Sequence, residues 1–246
     1  MDLNRLASRL DHIAPFHVME LAKMASELER DGRSIIHMGI GEPDFTAPAP
    51  VIEAATRAMA DGKLQYTAAT GLPALRQAIS DHYRTVYGLE VAPERIVVTA
   101  GASAALLLAC AALVEPGAEV LMPDPSYPCN RHFVAAFEGR ARMIPSGPEQ
   151  RFQLSEAMVR DNWNEATRGV LLASPSNPTG TSITHDELAR IAKVVREKGG
   201  FTIVDEIYLG LSFDERFGHS ALMHSRGADD SVISINSFSK FFSMTG

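Results

Sequence analysis

Residues 169–208, GVLLASPSNPTGTSITHDELARIAKVVREKGGFTIVDEIY, contain the pattern that decides the fold. Two short apolar runs, Gly169–Ala173 and Phe201–Val204, stand on either side of His185–Lys198, where apolar residues recur at helical spacing. A strand, a helix and a second strand in this order form a crossover unit that lays the two strands parallel. The stretch therefore predicts a parallel sheet covered by helices.

The same alternation extends in both directions along the chain. Further apolar runs of strand length are Ile35–Ile40, Ile96–Thr99, Val120–Met122, Ala141–Ile144 and Val232–Ile235. Helical periodicity is found at Val18–Leu28, Val51–Met59, Leu72–Tyr87, Ala102–Val114, Asn130–Phe137 and Ser155–Asp161. We predict a three-layer α/β/α fold with a mostly parallel sheet. Residues 1–45 precede the regular alternation and are predicted to form an N-terminal arm and part of a small domain, and residues 46–246 a large domain.

Composition and charge exclude several classes of protein. The 246 residues are 46% hydrophobic and 22% charged, which is typical of a globular chain and not of a disordered one. The net charge is −7 and no basic run is present, so we expect no nucleic-acid partner. The most apolar stretch, near residues 102–114, is shorter than the roughly 20 residues that cross a bilayer. We therefore expect no membrane association.

Cysteine usage and the N-terminus predict a cellular location. Cys110 and Cys129 lack the spacing of a redox or metal motif, and two such cysteines fit a reducing compartment better than a disulfide framework. The first residues carry scattered charges and no continuous apolar core, unlike a secretory signal. We expect a cytoplasmic protein.

Polar side chains follow several of the predicted strands. Because ligands collect at the carboxyl ends of the strands in an open parallel sheet, these positions are candidate site residues. Asp205 follows one apolar run directly, and Asn177 lies between two prolines after another. Lys240 follows a third run, and it is the one lysine of five that follows a strand end. A surface turn at Asn177 and a solvated lysine at position 240 are the alternative interpretations.

A small-residue turn, Ala100–Ser103, opens directly into a predicted helix. Free backbone N–H groups and the helix dipole at such a turn can hold an anion such as a phosphate. A glycine in a strand-to-helix turn also has a purely structural explanation, since glycine permits a tight turn.

Seven segments, taken together and in order, resemble the class I/II aminotransferases. These are pyridoxal phosphate enzymes with the aspartate aminotransferase fold, called fold type I. The matching segments are Gly41-Glu42-Pro43-Asp44-Phe45, Tyr66 before Thr70-Gly71-Leu72-Pro73, Gly101-Ala102-Ser103, Pro125-Ser126-Tyr127-Pro128, Ser176-Asn177-Pro178-Thr179-Gly180, Asp205-Glu206-Ile207-Tyr208 and Ser237-Phe238-Ser239-Lys240.

The resemblance implies a pyridoxal 5'-phosphate cofactor and assigns chemical roles. Lys240 would form a Schiff base with the cofactor aldehyde and later carry a proton between the substrate Cα and the cofactor. Asp205 would keep the pyridine nitrogen protonated, so that the ring accepts electrons. Asn177 and Tyr208 would donate hydrogen bonds to the 3′ oxygen, and Tyr127 would stack on the ring. Lys240, Asp205 and Tyr208 are the implied catalytic residues.

The resemblance also implies binding sites for the phosphate and the substrates, which are an amino acid and a 2-oxo acid. Tyr66 would reach the phosphate of a neighbouring subunit, which implies a homodimer. Gly41 and Asn177 would contact the substrate. The implied phosphate ligands within the subunit are Gly101, Ala102, Ser103, Ser237 and Ser239.

The sequence departs from the family pattern at its end. Family members carry an arginine for the cofactor phosphate shortly after the lysine, and a second arginine for the substrate carboxylate much later. They also place an antiparallel strand after the lysine, inside the sheet. The chain ends at Gly246. We therefore expect the N-terminal portion of a longer aminotransferase, with the fold incomplete at the C-terminus.

Other functions stay open at this point. Another fold type I reaction, such as C–S bond cleavage or decarboxylation, would use the same residues. A sensor domain that binds the cofactor without turnover is a second alternative. A nicotinamide enzyme is disfavoured because no GxGxxG follows the first strand, and a metal site because the eight histidines lack ligand spacing. Aspartate, alanine, an aromatic amino acid or another amine could be the donor.

Overall fold

One parallel sheet of five strands, in the order β2-β1-β3-β4-β5, organises the part of the chain that the structure describes. The structure is a computed structural model, and it describes residues 6–225 and 231–245. The strands are β1 (Glu119–Asp124), β2 (Arg140–Pro145), β3 (Thr167–Ala173), β4 (Phe201–Asp205) and β5 (Val232–Ile235). Each contains one of the apolar runs that the sequence predicts as a strand.

Seven α-helices accompany the sheet within the described ranges. They are α1 (His17–Arg30), α2 (Ala49–Ala60), α3 (Pro73–Tyr87), α4 (Gly101–Leu113), α5 (Cys129–Ala135), α6 (Glu156–Asn162) and α7 (His185–Glu197). Their ends agree with the predicted helices to within about two residues. In α7, the Thr184 side chain accepts a hydrogen bond from the Glu187 N–H, which explains why the helix begins at His185.

Two apolar clusters lie on the two faces of the sheet. Alternate side chains of β3 point to opposite faces, so that Val170 and Leu172 belong to one cluster and Leu171 to the other. Residues of α6 and α7 complete the first cluster, and residues of α4 and α5 complete the second. The predicted three-layer α/β/α architecture is therefore confirmed.

Two of the predicted strands are wrong. Residues Ile35–Ile40 and Ile96–Thr99 form no strand in the structure. Both runs are rich in β-branched residues, but a strand also needs a neighbouring backbone to pair with. At the second run, the Ile96 N–H donates to the Pro93 carbonyl and the Val98 N–H to the Thr70 carbonyl, but these bonds form no strand ladder. Apolar composition alone therefore overestimated the sheet.

The N-terminal residues lie on the surface. Among the described residues, none that precedes Ser80 is buried, and neither α1 nor α2 contains a buried side chain. The Arg9 guanidinium donates to the Ala136 carbonyl at 3.1 Å and so attaches this part of the chain to the end of α5. The division into an arm at residues 1–45 and a large domain stays a prediction.

Over residues 6–225 and 231–245, no helix combines the length and apolar character that crossing a membrane would require. The same residues contain no group of three or more His, Cys, Asp or Glu side chains arranged to hold a metal ion.

Gly169 permits the close approach of β3 and β4, and we expect its replacement by alanine to destabilise the fold. A Cβ at this position would lie 2.5 Å from the backbone oxygen of Phe201, its partner across the sheet. Because backbone must shift to relieve this contact, the Gly169→Ala free energy of unfolding should fall by at least ~2 kcal/mol. Urea denaturation measures the change. Gly39→Ala is the matched control, since a Cβ there meets no atom within 4 Å. Equal free energies of unfolding for the two variants would contradict the conclusion that Gly169 permits the close approach of β3 and β4.

Candidate active site

The carboxyl ends of β3, β4 and β5 meet at one edge of the sheet. Ala173 is the register partner of Asp205, and Asp205 is in turn the register partner of Ile235. The segments that leave these three strands therefore begin side by side. They carry Asn177, Tyr208 and Lys240 respectively, as the sequence predicts.

Asp205 is a buried carboxyl group at this edge. Its side chain accepts a hydrogen bond from the Ile207 N–H at 3.1 Å, and its carbonyl accepts one from the Ser174 N–H at 3.0 Å. The residue is 6% exposed, and burial raises the pKa of its carboxyl from 3.8 to about 6. No cationic side chain in the described chain forms an ion pair with it. A buried carboxyl group of this kind favours a positively charged ligand.

Asn177 and Tyr208 are brought together across the edge. Their side chains are hydrogen-bonded, although the two residues are 31 positions apart in sequence, on either side of α7 and β4. The loop with Asn177 is held at both ends by Gln153, whose amide donates to the Ala173 carbonyl at 3.0 Å and the Thr181 carbonyl at 3.1 Å. The amide of Asn177 therefore lies on a fixed loop.

Tyr127 belongs to the same group of side chains. Burial raises the pKa of its phenol, and the charges of Tyr208 and Asp205 contribute to the rise. The ring of Phe16 packs edge-on against Tyr127, with 5.7 Å between the centroids. Sequence reasoning missed Phe16, because this residue lies outside every matching segment and the resemblance assigns a site role only to Gly41 within residues 1–45.

Lys240 follows β5 and contacts the N-terminal arm. Its Nζ donates to the Gly41 carbonyl at 3.4 Å. The preceding hydroxyl groups of Ser237 and Ser239 are hydrogen-bonded to each other at 2.5 Å, and Ser237 Oγ also accepts from the Ser239 N–H at 3.1 Å. Two predicted phosphate ligands are thus paired in a tight turn before the lysine.

The start of α4 has the features of an anion site. Gly101 has a φ of +80°, a conformation that favours glycine, and Ala100 at the N-cap provides no side chain to cap the helix. Ala102 packs against the apolar cluster that includes Ile235 of β5, and Ser103 is exposed. The Gly101 N–H is hydrogen-bonded to the Thr99 carbonyl at 2.8 Å, and no side chain caps the N–H groups that follow it, which are therefore available to a ligand.

Two predicted contacts are not tested by the described residues. The Tyr66 side chain is fully exposed, and its role toward a second subunit stays a prediction. A Cβ at Gly41 would meet no atom within 4 Å, so nothing within the chain itself requires glycine at this position.

Comparison with known proteins identifies the family. The family described as aminotransferase class I and II matches residues 33–246. The chain belongs to this family. The valine–pyruvate aminotransferase of Mycobacterium tuberculosis is 38% identical to this chain over 235 residues, which are 95% of this chain and 59% of the relative. The probable aspartate/prephenate aminotransferase of Aquifex aeolicus is 36% identical, over 98% of this chain and 61% of its own.

A solved structure supports the fold assignment for this chain. The aspartate aminotransferase of Thermus thermophilus with maleate matches it with a TM-score of 0.91 at 32% identity. The match covers 98% of this chain and 62% of that structure. The fold is therefore the aspartate aminotransferase fold, fold type I, as the sequence predicts. The chain spans about 60% of the length of the relatives that it matches.

Glu206 is a further buried acidic residue at this edge of the sheet, which sequence reasoning did not single out. It directly follows Asp205 and is only 1% exposed. Its carboxylate accepts hydrogen bonds from Ser220 Oγ at 2.9 Å, from the Ala221 N–H at 2.5 Å and from Ser234 Oγ. The available signal was a second acidic residue beside Asp205, at the end of an apolar strand.

Proposed function

We propose that this chain holds pyridoxal 5'-phosphate and serves an aminotransferase that moves an amino group between an amino acid and a 2-oxo acid. The observation that carries the proposal is the carboxyl group of Asp205, which is buried and forms no ion pair within the described chain. The segments that carry Asn177, Tyr208 and Lys240 begin at the same edge of the sheet. The protonated nitrogen of a pyridine ring is a cation that suits this carboxylate.

The residues of the edge fit the separate parts of the cofactor. The uncapped start of α4 suits the phosphate, with the hydroxyl groups of Ser237 and Ser239 as further donors. Asn177 and Tyr208, already hydrogen-bonded to each other, suit the oxygen on the ring. Tyr127 supplies an aromatic face that Phe16 supports from its edge.

The cofactor, when bound, supplies the electron-accepting ring that stabilises a carbanion at the substrate Cα. The chain's own residues would bind the cofactor, transfer the proton and orient the ring. Lys240 would bind the cofactor through Nζ, and the amine, once the substrate's own amine has released it, would accept the proton that leaves the substrate Cα. Asp205 would keep the ring nitrogen protonated, because the ion pair would compensate its desolvation. Tyr208 would orient Asn177, and its hydroxyl group would donate a hydrogen bond to the ring oxygen.

We propose that the working unit is a cytoplasmic homodimer. Tyr66 is fully exposed and, by the family pattern, reaches the phosphate of a second subunit. The surrounding surface carries exposed apolar side chains such as Phe45, Leu64 and Leu72, which suits an interface. The free cysteines Cys110 and Cys129 support a reducing compartment.

The reaction is tested with the protein, pyridoxal 5'-phosphate, a panel of amino acids and a 2-oxo acid acceptor. We expect a new amino acid derived from the acceptor, quantified by chromatography. Release of ammonia and pyruvate, or of carbon dioxide, without a new amino acid would assign a different pyridoxal phosphate reaction. Cofactor binding that no amino acid alters would indicate a sensor domain.

A further inference from the structure

Glu206 connects three segments behind the proposed cofactor site. Its backbone N–H donates to the Ile235 carbonyl of β5 at 2.7 Å, continuing the ladder one residue beyond the end of β4. Its carboxylate accepts from Ser234 of β5 and from Ser220 and Ala221, at the start of the 3-10 helix Ala221–His224. One buried side chain therefore fixes the end of β4, the adjacent strand and the returning loop.

The segment fixed by Glu206 is the one that leads to Lys240. Ser234 lies in β5, and the chain leaves β5 at Asn236 toward Ser237, Ser239 and the lysine. The Asn236 amide donates to the Tyr83 hydroxyl of α3 at 3.4 Å, which adds a second attachment. Displacement of β5 along β4 would move this segment away from Asp205. The position of the Lys240 segment relative to Asp205 therefore depends in part on the contacts of Glu206 with β5.

We propose that Glu206 is a positioning residue of the cofactor site, which holds the Lys240 segment against Asp205 through its shared hydrogen bonds to Ser234, Ser220 and Ala221. The inference rests on the proposed function, since it concerns the same site. It assigns Glu206 no contact with the cofactor or the substrate.

The electrostatic surroundings of Glu206 agree with this role. The titratable groups that face it are Asp205 on its own strand and Tyr83 and Tyr87 on α3. Burial raises the pKa of Glu206 from 4.5 to about 7, against the opposing effect of its three hydrogen-bond donors. Burying an ionised carboxyl group lowers the stability of the folded state at neutral pH. Its presence here therefore requires hydrogen bonds that satisfy its oxygens, or a function that compensates the cost.

The test compares cofactor binding by variants of the two partners, Glu206 and Ser234. Glu206→Ala and Ser234→Ala should each weaken pyridoxal 5'-phosphate binding about tenfold, the effect expected for the loss of one or two net hydrogen bonds. Ser234→Thr retains the hydroxyl and should restore the affinity. Glu206→Gln retains an acceptor for the Ala221 N–H and should bind more tightly than Glu206→Ala. The colour of the bound cofactor changes with pH, and the midpoint of this change should fall in Glu206→Gln by about half a unit or more. The variant lacks a negative charge that would favour the protonated, cationic form of the cofactor.

The controls separate positioning from general stability. Thr202→Val changes a fully buried residue of the same strand, whose hydroxyl has no partner among the described residues, and should leave the affinity and the midpoint unchanged. Circular dichroism identifies the variants that fold. If Glu206→Ala does not fold, Ser234→Ala and Ser234→Thr still decide the question.

Two outcomes overturn different claims. Wild-type protein that forms no borohydride-reducible adduct with pyridoxal 5'-phosphate overturns the proposed function. The second outcome is that the wild type forms the adduct, while the Ser234→Ala and Glu206→Gln variants fold and match it in affinity and colour midpoint. This outcome overturns only the role of Glu206 and leaves the proposed function in place.

Discussion

Lys240→Ala is expected to abolish the covalent attachment of pyridoxal 5'-phosphate. Of the five lysines, Lys240 is the one whose segment leaves the sheet at the edge that carries Asp205, and its amine is held by the Gly41 carbonyl. After addition of pyridoxal 5'-phosphate and reduction with borohydride, mass spectrometry of the peptides should locate the label at Lys240. The variant should lose the label and the associated colour entirely, since none of the other four lysines follows a strand at this edge of the sheet.

Lys193→Ala is the matched control for this experiment. Lys193 lies on α7 with a side chain that is 70% exposed and a distant Glu197 as its partner at 3.9 Å. Its replacement should leave the label in place. A label that persists in Lys240→Ala at the wild-type level, or that moves to several surface lysines, would contradict the assignment.

Asp205→Asn should make the cofactor-free protein more stable at neutral pH. The folded-state pKa of Asp205 is raised from 3.8 to about 6, so its contribution to stability is present below pH 3.8 and is lost as the pH rises through 6. Asparagine does not ionise and can accept the same hydrogen bond from the Ile207 N–H. The variant's free energy of unfolding at pH 8 should therefore exceed that of the wild type by about 3 kcal/mol, and the two should converge near pH 3.

Addition of pyridoxal 5'-phosphate should reverse this order. The wild type gains an ion pair to the ring nitrogen, and a ligand that binds only the folded state stabilises it. Urea denaturation between pH 3 and 8, with and without the cofactor, measures both effects. Asp214→Asn is the control, because hydrogen bonds from Arg216 lower the pKa of Asp214 to about 2, so its removal should give no gain at pH 8. Equal stabilities of Asp205→Asn and the wild type at pH 8 would refute the unpaired-carboxyl interpretation.

Strand and helix periodicity predicted most of the fold because the two faces of the sheet impose it. In β3, alternate side chains enter separate apolar clusters, and each cluster is closed by helices whose apolar residues recur at helical spacing. The runs at Ile35–Ile40 and Ile96–Thr99 have a similar composition but form no strands. Local sequence indicates which residues can form a strand, whereas pairing depends on the presence of a neighbour.

The candidate site was predicted in its residue types but not in its contacts. Residues after strand ends gave Asp205, Asn177 and Lys240, because a parallel sheet brings these ends to one edge. The contact of Phe16 with Tyr127 depends on the path of the arm over the surface, which no local pattern specifies. The partners of Glu206 lie 14 and 28 residues away in sequence, so its role required the assembled structure.

Between residue 6, where the described chain begins, and Ser80 no side chain is buried, and this has a consequence for how the molecule opens. Backbone amides of β3 and β4, enclosed between two apolar layers, exchange their hydrogens with solvent only when the whole sheet unfolds. Amides of α1 and α2 are protected by their own helical hydrogen bonds, and isolated helices of this length are marginal in water. Deuterium should therefore enter the first 60 or so described residues through local fraying, long before it reaches the strands.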